Sequence, residues 1–92
     1  MHNNDTIMRC RVCGLLQSEP PWGSDGKCPT YAYCSCCGVE FGYGDASPEG
    51  IRRWRENWLA SGANWNDPKE KPANWDLQEQ LSHVAELQPT EF

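Results

Sequence analysis

Apolar residues recur at helical spacing in the middle of the chain. They stand at positions i, i+3, i+7 and i+8 of one run, which places them on one face of a helix, and they are Ile51, Trp54, Trp58 and Leu59. Ser47 is a good N-cap before this run, and Pro48 suits the first helical position. Gly62 can end the helix by adopting a left-handed conformation. The pattern predicts an amphipathic helix between Ser47 and Gly62.

A second apolar stripe follows near the C-terminus, formed by Leu77, Leu81 and Val84. Asp76 precedes this stripe and Glu79 stands three residues later, which is the spacing of a capping box. Pro89 would stop the helix. The sequence therefore predicts a second amphipathic helix that begins at Asp76 and ends before Pro89.

The N-terminal part shows no helical periodicity. Residues 17–30 contain three prolines and two glycines and are predicted to form a loop. Residues 7–16 are predicted to be a short strand, a turn and a return. Apolar and aromatic positions nearly alternate over residues 31–43, which favours a β-hairpin; they are Tyr31, Tyr33, Val39, Phe41 and Tyr43.

Two C-x-x-C-G units stand at the turns of these two segments. The first contains Cys10 and Cys13, the second contains Cys34 and Cys37, and twenty residues separate them. Each unit places two thiolates on a tight turn, and two facing turns make a tetrahedral four-thiolate site. The spacing predicts a structural Zn²⁺ site formed by these four cysteines. Four thiolates also suit iron, and the sequence does not separate the two ions.

Two further cysteines leave the ligand assignment open. Cys36 is adjacent to Cys37, and Cys28 lies six residues before Cys34, which it could replace as a ligand. The favoured interpretation is that both are small thiols without chemistry. Metal ligation or redox sensing is the alternative.

These elements predict a small α+β metal-stabilised domain. We expect one domain over residues 1–92, because a chain of 92 residues leaves no length for a second core. Within it, residues 1–6 are predicted to be a flexible tail and residues 7–45 a zinc ribbon with two cysteine knuckles and short β-hairpins. Residues 46–88 are predicted to contain the two amphipathic helices.

Charge and hydropathy narrow the classes of partner. The formal net charge is −5, which disfavours nucleic acid as a partner and suits a basic protein. Only 38% of the residues are hydrophobic, and no apolar run approaches the roughly 18 residues that span a bilayer. The N-terminus lacks a basic region followed by an apolar stretch, so we expect a cytoplasmic protein that does not contact membranes.

Three tryptophans in the predicted loops either cover the metal site or anchor a partner. With the acidic side chains nearby, they form a candidate partner surface made of Trp22, Glu40, Asp45, Trp65, Asp67 and Trp75, and Glu70 and Asp76 are further acidic candidates. The basic cluster of the first predicted helix consists of Arg52, Arg53 and Arg55. The pairs Glu49–Arg53 and Arg52–Glu56 have i, i+4 spacing, so a salt-bridged solvated face is favoured over phosphate contacts.

Catalysis is not expected. Four thiolates close the coordination sphere and leave no position for the water that a catalytic zinc needs. The chain contains only two histidines, and no serine or cysteine stands beside a recognisable base motif.

The chain resembles the small bacterial cysteine-rich proteins of the CPCC type. The resemblance covers roughly residues 8–81 and is carried by residues 10–14, by Pro21-Trp22-Gly23, by the stretch from Tyr31 to Asp45 and by the tryptophan-rich helix that follows. Some members of such groups are immunity proteins encoded beside polymorphic-toxin genes. The resemblance implies an inhibitor that binds a cognate toxin, with a basic toxin domain as the expected partner. A zinc-ribbon adaptor for nucleic acid or a transcription-type complex is the alternative function.

Overall fold

The computed structural model describes residues 7–87, and the side chains of residues 7–84. Its regular elements are helix α1 (Pro48–Ala60), a 3-10 turn (Pro68–Glu70) and helix α2 (Leu77–Leu87). The tail predicted over residues 1–6 and the helix stop predicted at Pro89 lie outside the described residues.

Two tight turns with the same hydrogen bonds make up the N-terminal part. In the first knuckle (residues 10–14) the Cys10 N–H donates to the Leu15 carbonyl at 3.0 Å, and the Gly14 N–H donates to the Cys10 carbonyl at 3.0 Å. The second knuckle (residues 34–38) makes the same two bonds 24 positions further along the chain. The Cys34 N–H donates to the Val39 carbonyl and the Gly38 N–H donates to the Cys34 carbonyl, both at 2.9 Å. The two C-x-x-C-G units therefore fold alike.

The predicted β-hairpins are much reduced. Each knuckle is flanked by one isolated antiparallel bridge, Arg9 with Leu16 and Tyr33 with Glu40, and no longer strand occurs among residues 7–87. The alternation over residues 31–43 arises differently: Val39 and Phe41 are buried beside the second knuckle, whereas the three tyrosines are exposed. The hydrogen bonds of each knuckle already fix the two short segments that flank it, so no longer run of strand pairing is needed to set their register.

Helix α1 begins as predicted. The Ser47 hydroxyl accepts a hydrogen bond from the Gly50 N–H at 3.0 Å, and Pro48 occupies the first turn. Ile51 and Trp58 are buried against the core. At the C-terminal end Gly62 has a φ of +113°, which is the positive backbone angle expected of it.

Helix α2 is capped by Asp76, whose carboxylate accepts from the backbone N–H groups of Gln78 and Glu79 at 3.0 and 3.3 Å. The Glu79 carboxylate bonds to the His83 ring at 3.0 Å instead of returning to the cap. Val84 is buried, and the other two members of the predicted stripe, Leu77 and Leu81, pack partly buried against the core.

The core surrounds the cysteines. Five cysteines belong to it, together with apolar residues of both halves of the chain; the apolar members are Val12, Val39, Phe41, Ile51, Trp58, Ala63 and Trp65. Both helices therefore pack against the knuckles. Neither helix in the described part of the chain has the length and apolar character needed to cross a membrane.

Candidate metal centre

Four buried thiols converge at the centre of the molecule. The sulfur atoms of Cys10, Cys13, Cys34 and Cys37 all lie within 4.8 Å of one another. The Cys10 and Cys37 sulfurs are 3.7 Å apart, and those of Cys13 and Cys34 are 3.6 Å apart. A tetrahedral Zn²⁺ with bonds of about 2.3 Å requires edges of about 3.8 Å between sulfurs. The four residues therefore fit a tetrahedral thiolate-bound metal ion.

The knuckles aim their sulfurs inward because a glycine follows the second cysteine of each. Gly14 has a φ of +87° and Gly38 a φ of +80°, which other residues adopt only with strain. In the first knuckle the Val12 N–H points to the Cys10 sulfur at 3.4 Å. Such an N–H donor stabilises a thiolate.

Helix α1 holds both knuckles from one side. The Arg55 guanidinium donates to the Val12 carbonyl at 2.7 Å and to the Arg11 carbonyl at 3.1 Å. The Trp54 indole N–H donates to the Cys37 carbonyl at 2.9 Å. One turn of helix thus connects the two halves of the candidate site.

Residues after helix α1 hold the knuckles from the other side. The buried Gln80 amide of helix α2 donates to the Cys13 carbonyl at 3.0 Å and approaches the Cys36 sulfur at 3.5 Å. In the loop between the helices, the N–H groups of Asn66 and Asp67 donate to the carbonyls of Cys36 and Ser35 at 2.9 and 2.8 Å. Asn66 also lies against Gly38.

The thiols of the cluster do not ionise alike. Burial raises the pKa of Cys13 and of Cys37. Hydrogen bonds with the other thiols add to the effect at Cys13, whereas at Cys37 the bonds with Cys10 and Cys34 raise the pKa and the bond with Cys13 lowers it. The pKa of Cys34 is lowered, because the thiols of Cys10, Cys13 and Cys37 donate hydrogen bonds to its sulfur. Thiols whose pKa is raised release their protons less readily than an ordinary cysteine does. A divalent cation that binds four thiolates must displace these protons.

The two further cysteines take different places. Cys28 is exposed and does not belong to the four-sulfur cluster. Cys36 is buried next to the cluster and contacts the Gln80 amide, but it is not one of the four converging sulfurs. The structure thus groups the thiols as the i, i+3 spacing predicts.

The tryptophans of the candidate partner surface mostly cover the fold. The Trp22 indole N–H donates at 2.9 Å to Asp45, whose carboxylate is fully buried and also accepts from the Gly42 N–H at 2.7 Å. Trp65 is buried and meets Trp75 edge to face, with ring centroids 5.5 Å apart. Asp45 and Trp65 therefore present no free side chain to a partner.

The two remaining acidic residues of the candidate set stay partly accessible. Glu40 pairs with Tyr33 across the second bridge, and Asp67 caps the 3-10 turn by accepting from the Lys69 N–H at 3.4 Å. Both side chains are half-buried. Two pairs of the six candidates are in contact, Trp22 with Asp45 and Trp65 with Trp75.

Two supporting residues were not singled out by the sequence for what they do. The sequence places Arg55 in a basic cluster, yet its side chain bonds to a carbonyl of the first knuckle. The exposed Arg53 pairs with Glu49 at 3.6 Å, as predicted. No prediction from the sequence concerns Gln80. Its only sequence signal is a polar residue beside the apolar stripe of helix α2.

Comparison of the chain with models of known protein families, with curated proteins and with solved structures yields no match in any of the three.

Proposed function

We propose that this protein is a non-catalytic, zinc-stabilised binding domain. The observation that carries the proposal is the closed cluster of four buried thiols, three of which have no solvent exposure. Four thiolates complete the tetrahedral shell of Zn²⁺, so the ion would hold the knuckles together and would leave no position for a reacting water. Bound zinc would supply folding free energy, and the chemistry of the site would be structural.

The proposed activity is inhibition of a basic protein, with a cognate bacterial toxin domain as the partner. Three features support it: the net charge of −5, the resemblance to CPCC-type proteins, and the large exposed aromatic side chains near the second knuckle. These side chains, with their exposed fractions, are Tyr31 at 58%, Tyr33 at 64% and Tyr43 at 78%. Tyrosine is enriched where proteins bind one another, because it combines apolar area with a hydroxyl.

The alternative, an adaptor that binds nucleic acid, has less support. Of the three arginines in its proposed contact helix, Arg55 is bonded to knuckle carbonyls and Arg53 pairs with Glu49. Only Arg52 then offers a guanidinium for phosphate contacts without loss of one of these interactions. A single arginine on an acidic protein is a weak electrostatic footprint.

The metal part of the proposal is tested by cobalt substitution of the purified protein. Four-thiolate tetrahedral Co²⁺ gives strong sulfur-to-metal charge-transfer and visible bands. Metal analysis should find one zinc per chain, displaced by one cobalt with that spectrum. A metal content of zero in protein expressed with ample zinc and iron would contradict the proposal, and iron alone would correct the identity of the ion.

The binding part is tested by capture of partners from native cells with and without nuclease, at two salt concentrations. A single protein recovered at one-to-one stoichiometry, unaffected by nuclease, is the expected result. The purified chain should then inhibit the activity of the captured protein when it is added in equimolar amount. Recovery of nucleic acid that is lost at high salt would favour the adaptor instead.

A further inference from the structure

Two clefts meet on one side of the molecule. One, of about 400 Å³, is bounded by the first bridge and the start of helix α2, and its walls include Trp75, Asp76 and Glu79. The other, of about 330 Å³, is bounded by the loop before helix α2, and its walls include Trp65 and Glu70. Both share Leu15, Leu16 and Pro72, so they form one continuous groove across these three residues.

The floor of this groove offers an apolar side chain and an open backbone edge. Leu16 is 52% exposed and does not belong to the hydrophobic core. The bridge between Leu16 and Arg9 is formed by the hydrogen bonds on either side of this pair. The Cys10 N–H donates to the Leu15 carbonyl, and the Gln17 N–H donates to the Met8 carbonyl. The N–H and C=O of Leu16 make no hydrogen bond within residues 7–87. An extended segment can add to such an edge as a further strand.

The charges along the groove select the kind of segment. Its exposed charged residues are acidic: Glu70 at one end, and Asp76 and Glu79 at the other. The Arg9 guanidinium, the one basic group in the walls, turns to the Gly14 carbonyl at 2.8 Å. Lys69 and Lys71 flank Glu70 in sequence. Neither lines a cleft, although the Lys71 ammonium lies 5.3 Å from the centre of the Trp75 ring, which does.

We infer that this groove docks an extended, basic peptide segment of a partner protein. The inference rests on the proposed binding function and names the surface and the chemistry of the partner. Backbone hydrogen bonds to Leu16 would set the register, an apolar side chain would cover Leu16, and basic side chains would reach the acidic ends. The C-terminal residues 88–92 are a poorer occupant, because their only charged side chain is Glu91.

The test uses the zinc-loaded full chain and a fluorescein-labelled nine-residue peptide of alternating lysine and valine, followed by fluorescence anisotropy. The peptide should bind, an alternating glutamate and valine peptide should not, and N-methylation of alternate peptide nitrogens should abolish binding. Leu16→Ala should weaken binding about tenfold, as loss of a central apolar contact does. Glu70→Gln should weaken it about threefold, the effect of one exposed ion pair.

Matched controls lie on helix α1, away from the groove. Leu59→Ala removes a leucine that is 38% exposed, and Glu56→Gln removes an exposed carboxylate. Both should leave the affinity unchanged. Equal effects of the groove variants and the control variants, or equal binding of the N-methylated peptide, would overturn the inference and indicate general attraction to an acidic surface.

The same variants separate this inference from the proposed function. If the natural partner is captured at one-to-one stoichiometry and Leu16→Ala does not weaken that complex, the groove is not the docking site although the protein is a binding domain. If the wild-type chain captures and inhibits no protein, the binding function itself fails. A dimer in sedimentation that Leu16→Ala dissociates would make a second copy of the chain the occupant and overturn the inference.

Discussion

Arg55 shows how a charged side chain can serve the interior of a small protein. Its guanidinium is half-buried, bonds to two carbonyls of the first knuckle and interacts electrostatically with the sulfurs of Cys10, Cys13 and Cys37. Burial lowers its pKa, and the neighbouring sulfurs oppose that shift. Because four thiolates and one Zn²⁺ carry a net charge of −2, a cation at this place offsets part of the charge of the loaded site.

Arg55→Lys should therefore be destabilising although it keeps the positive charge. A lysine has no fork that can reach the Val12 and Arg11 carbonyls together. Loss of hydrogen bonds from a charged donor costs about 1.5–3 kcal/mol, and half exposure reduces this to about 1–2 kcal/mol of unfolding free energy. Urea denaturation of the zinc-loaded protein measures it. Arg52→Lys, at an exposed position of the same helix, should change stability by less than about 0.5 kcal/mol.

Substitution should affect metal binding and stability differently at the cysteines inside and outside the four-sulfur cluster. Cys34→Ser removes one of the four proposed metal ligands, and we expect loss of the four-thiolate cobalt spectrum and loss of the folded state. Cys28→Ser should leave both unchanged, because Cys28 is exposed and outside the cluster. Cys36→Ala should keep the spectrum while lowering stability by about 1 kcal/mol, since the Gln80 amide loses its contact with the sulfur. An altered spectrum in Cys28→Ser would assign the fourth ligand differently.

The contact between the first knuckle and helix α2 is closer than a side chain allows. A Cβ placed on Gly14 would lie 2.6 Å from the Gln80 carbonyl oxygen and 2.9 Å from a methyl group of Val84. The glycine thus serves two purposes at once, a positive φ that turns the knuckle and a surface on which the helix backbone rests. The knuckle and the helix depend on each other at this point.

Gly14→Ala should consequently cost roughly 2–5 kcal/mol of unfolding free energy, from about 1–2 kcal/mol of backbone strain and about 1–3 kcal/mol of overpacking. Gly26→Ala is the matched control, because Gly26 has a φ of +74° but no atom within 4 Å of the added Cβ. It should cost only the backbone strain. Denaturant midpoints with unchanged m-values measure both. Equal losses in the two variants would show that helix α2 does not rest on Gly14.

We expect the stability of the whole molecule to depend on a metal ion bound by the four central thiols. The thiols occupy the place that a larger protein fills with apolar side chains, and the remaining apolar core is small. We expect complete metal removal by a strong chelator to unfold residues 7–45 at least, and readdition of zinc to restore the fold. Circular dichroism and one-dimensional proton NMR spectra measure this. Spectra that stay unchanged in metal-free protein would contradict a folding role for the ion.

Stability of the zinc-loaded protein should fall as the pH is lowered. Bound thiolates carry no protons, whereas the same cysteines of the unfolded chain hold theirs below a pKa of about 8.5. The unfolded state then binds more protons than the native state, so stability rises with pH in this range. Zinc binding should also release protons, at least from Cys13 and Cys37, whose pKa values are raised in the metal-free cluster. Titration calorimetry in buffers of different ionisation enthalpy counts them.

Local sequence was sufficient for features that depend on near neighbours. The C-x-x-C-G spacing, the Ser47 and Asp76 caps and the end of helix α1 at Gly62 all rest on contacts within a few residues, and the structure contains each of them. The predicted β-hairpins, by contrast, are reduced to one isolated bridge at each knuckle. Alternation of apolar residues does not distinguish a strand from a knuckle whose flanks dip into the core.

Only the tertiary structure decides which distant groups meet. The sulfurs pair across the knuckles, Cys10 with Cys37 and Cys13 with Cys34, over 27 and 21 residues. Gln80 reaches the Cys13 carbonyl from 67 residues away. A periodic pattern in the sequence does not predict such pairs, because they depend on how the folded helices and knuckles pack against one another. Sequence spacing predicts the metal ligands themselves, whereas packing decides what surrounds them and leaves the groove at Leu16 open.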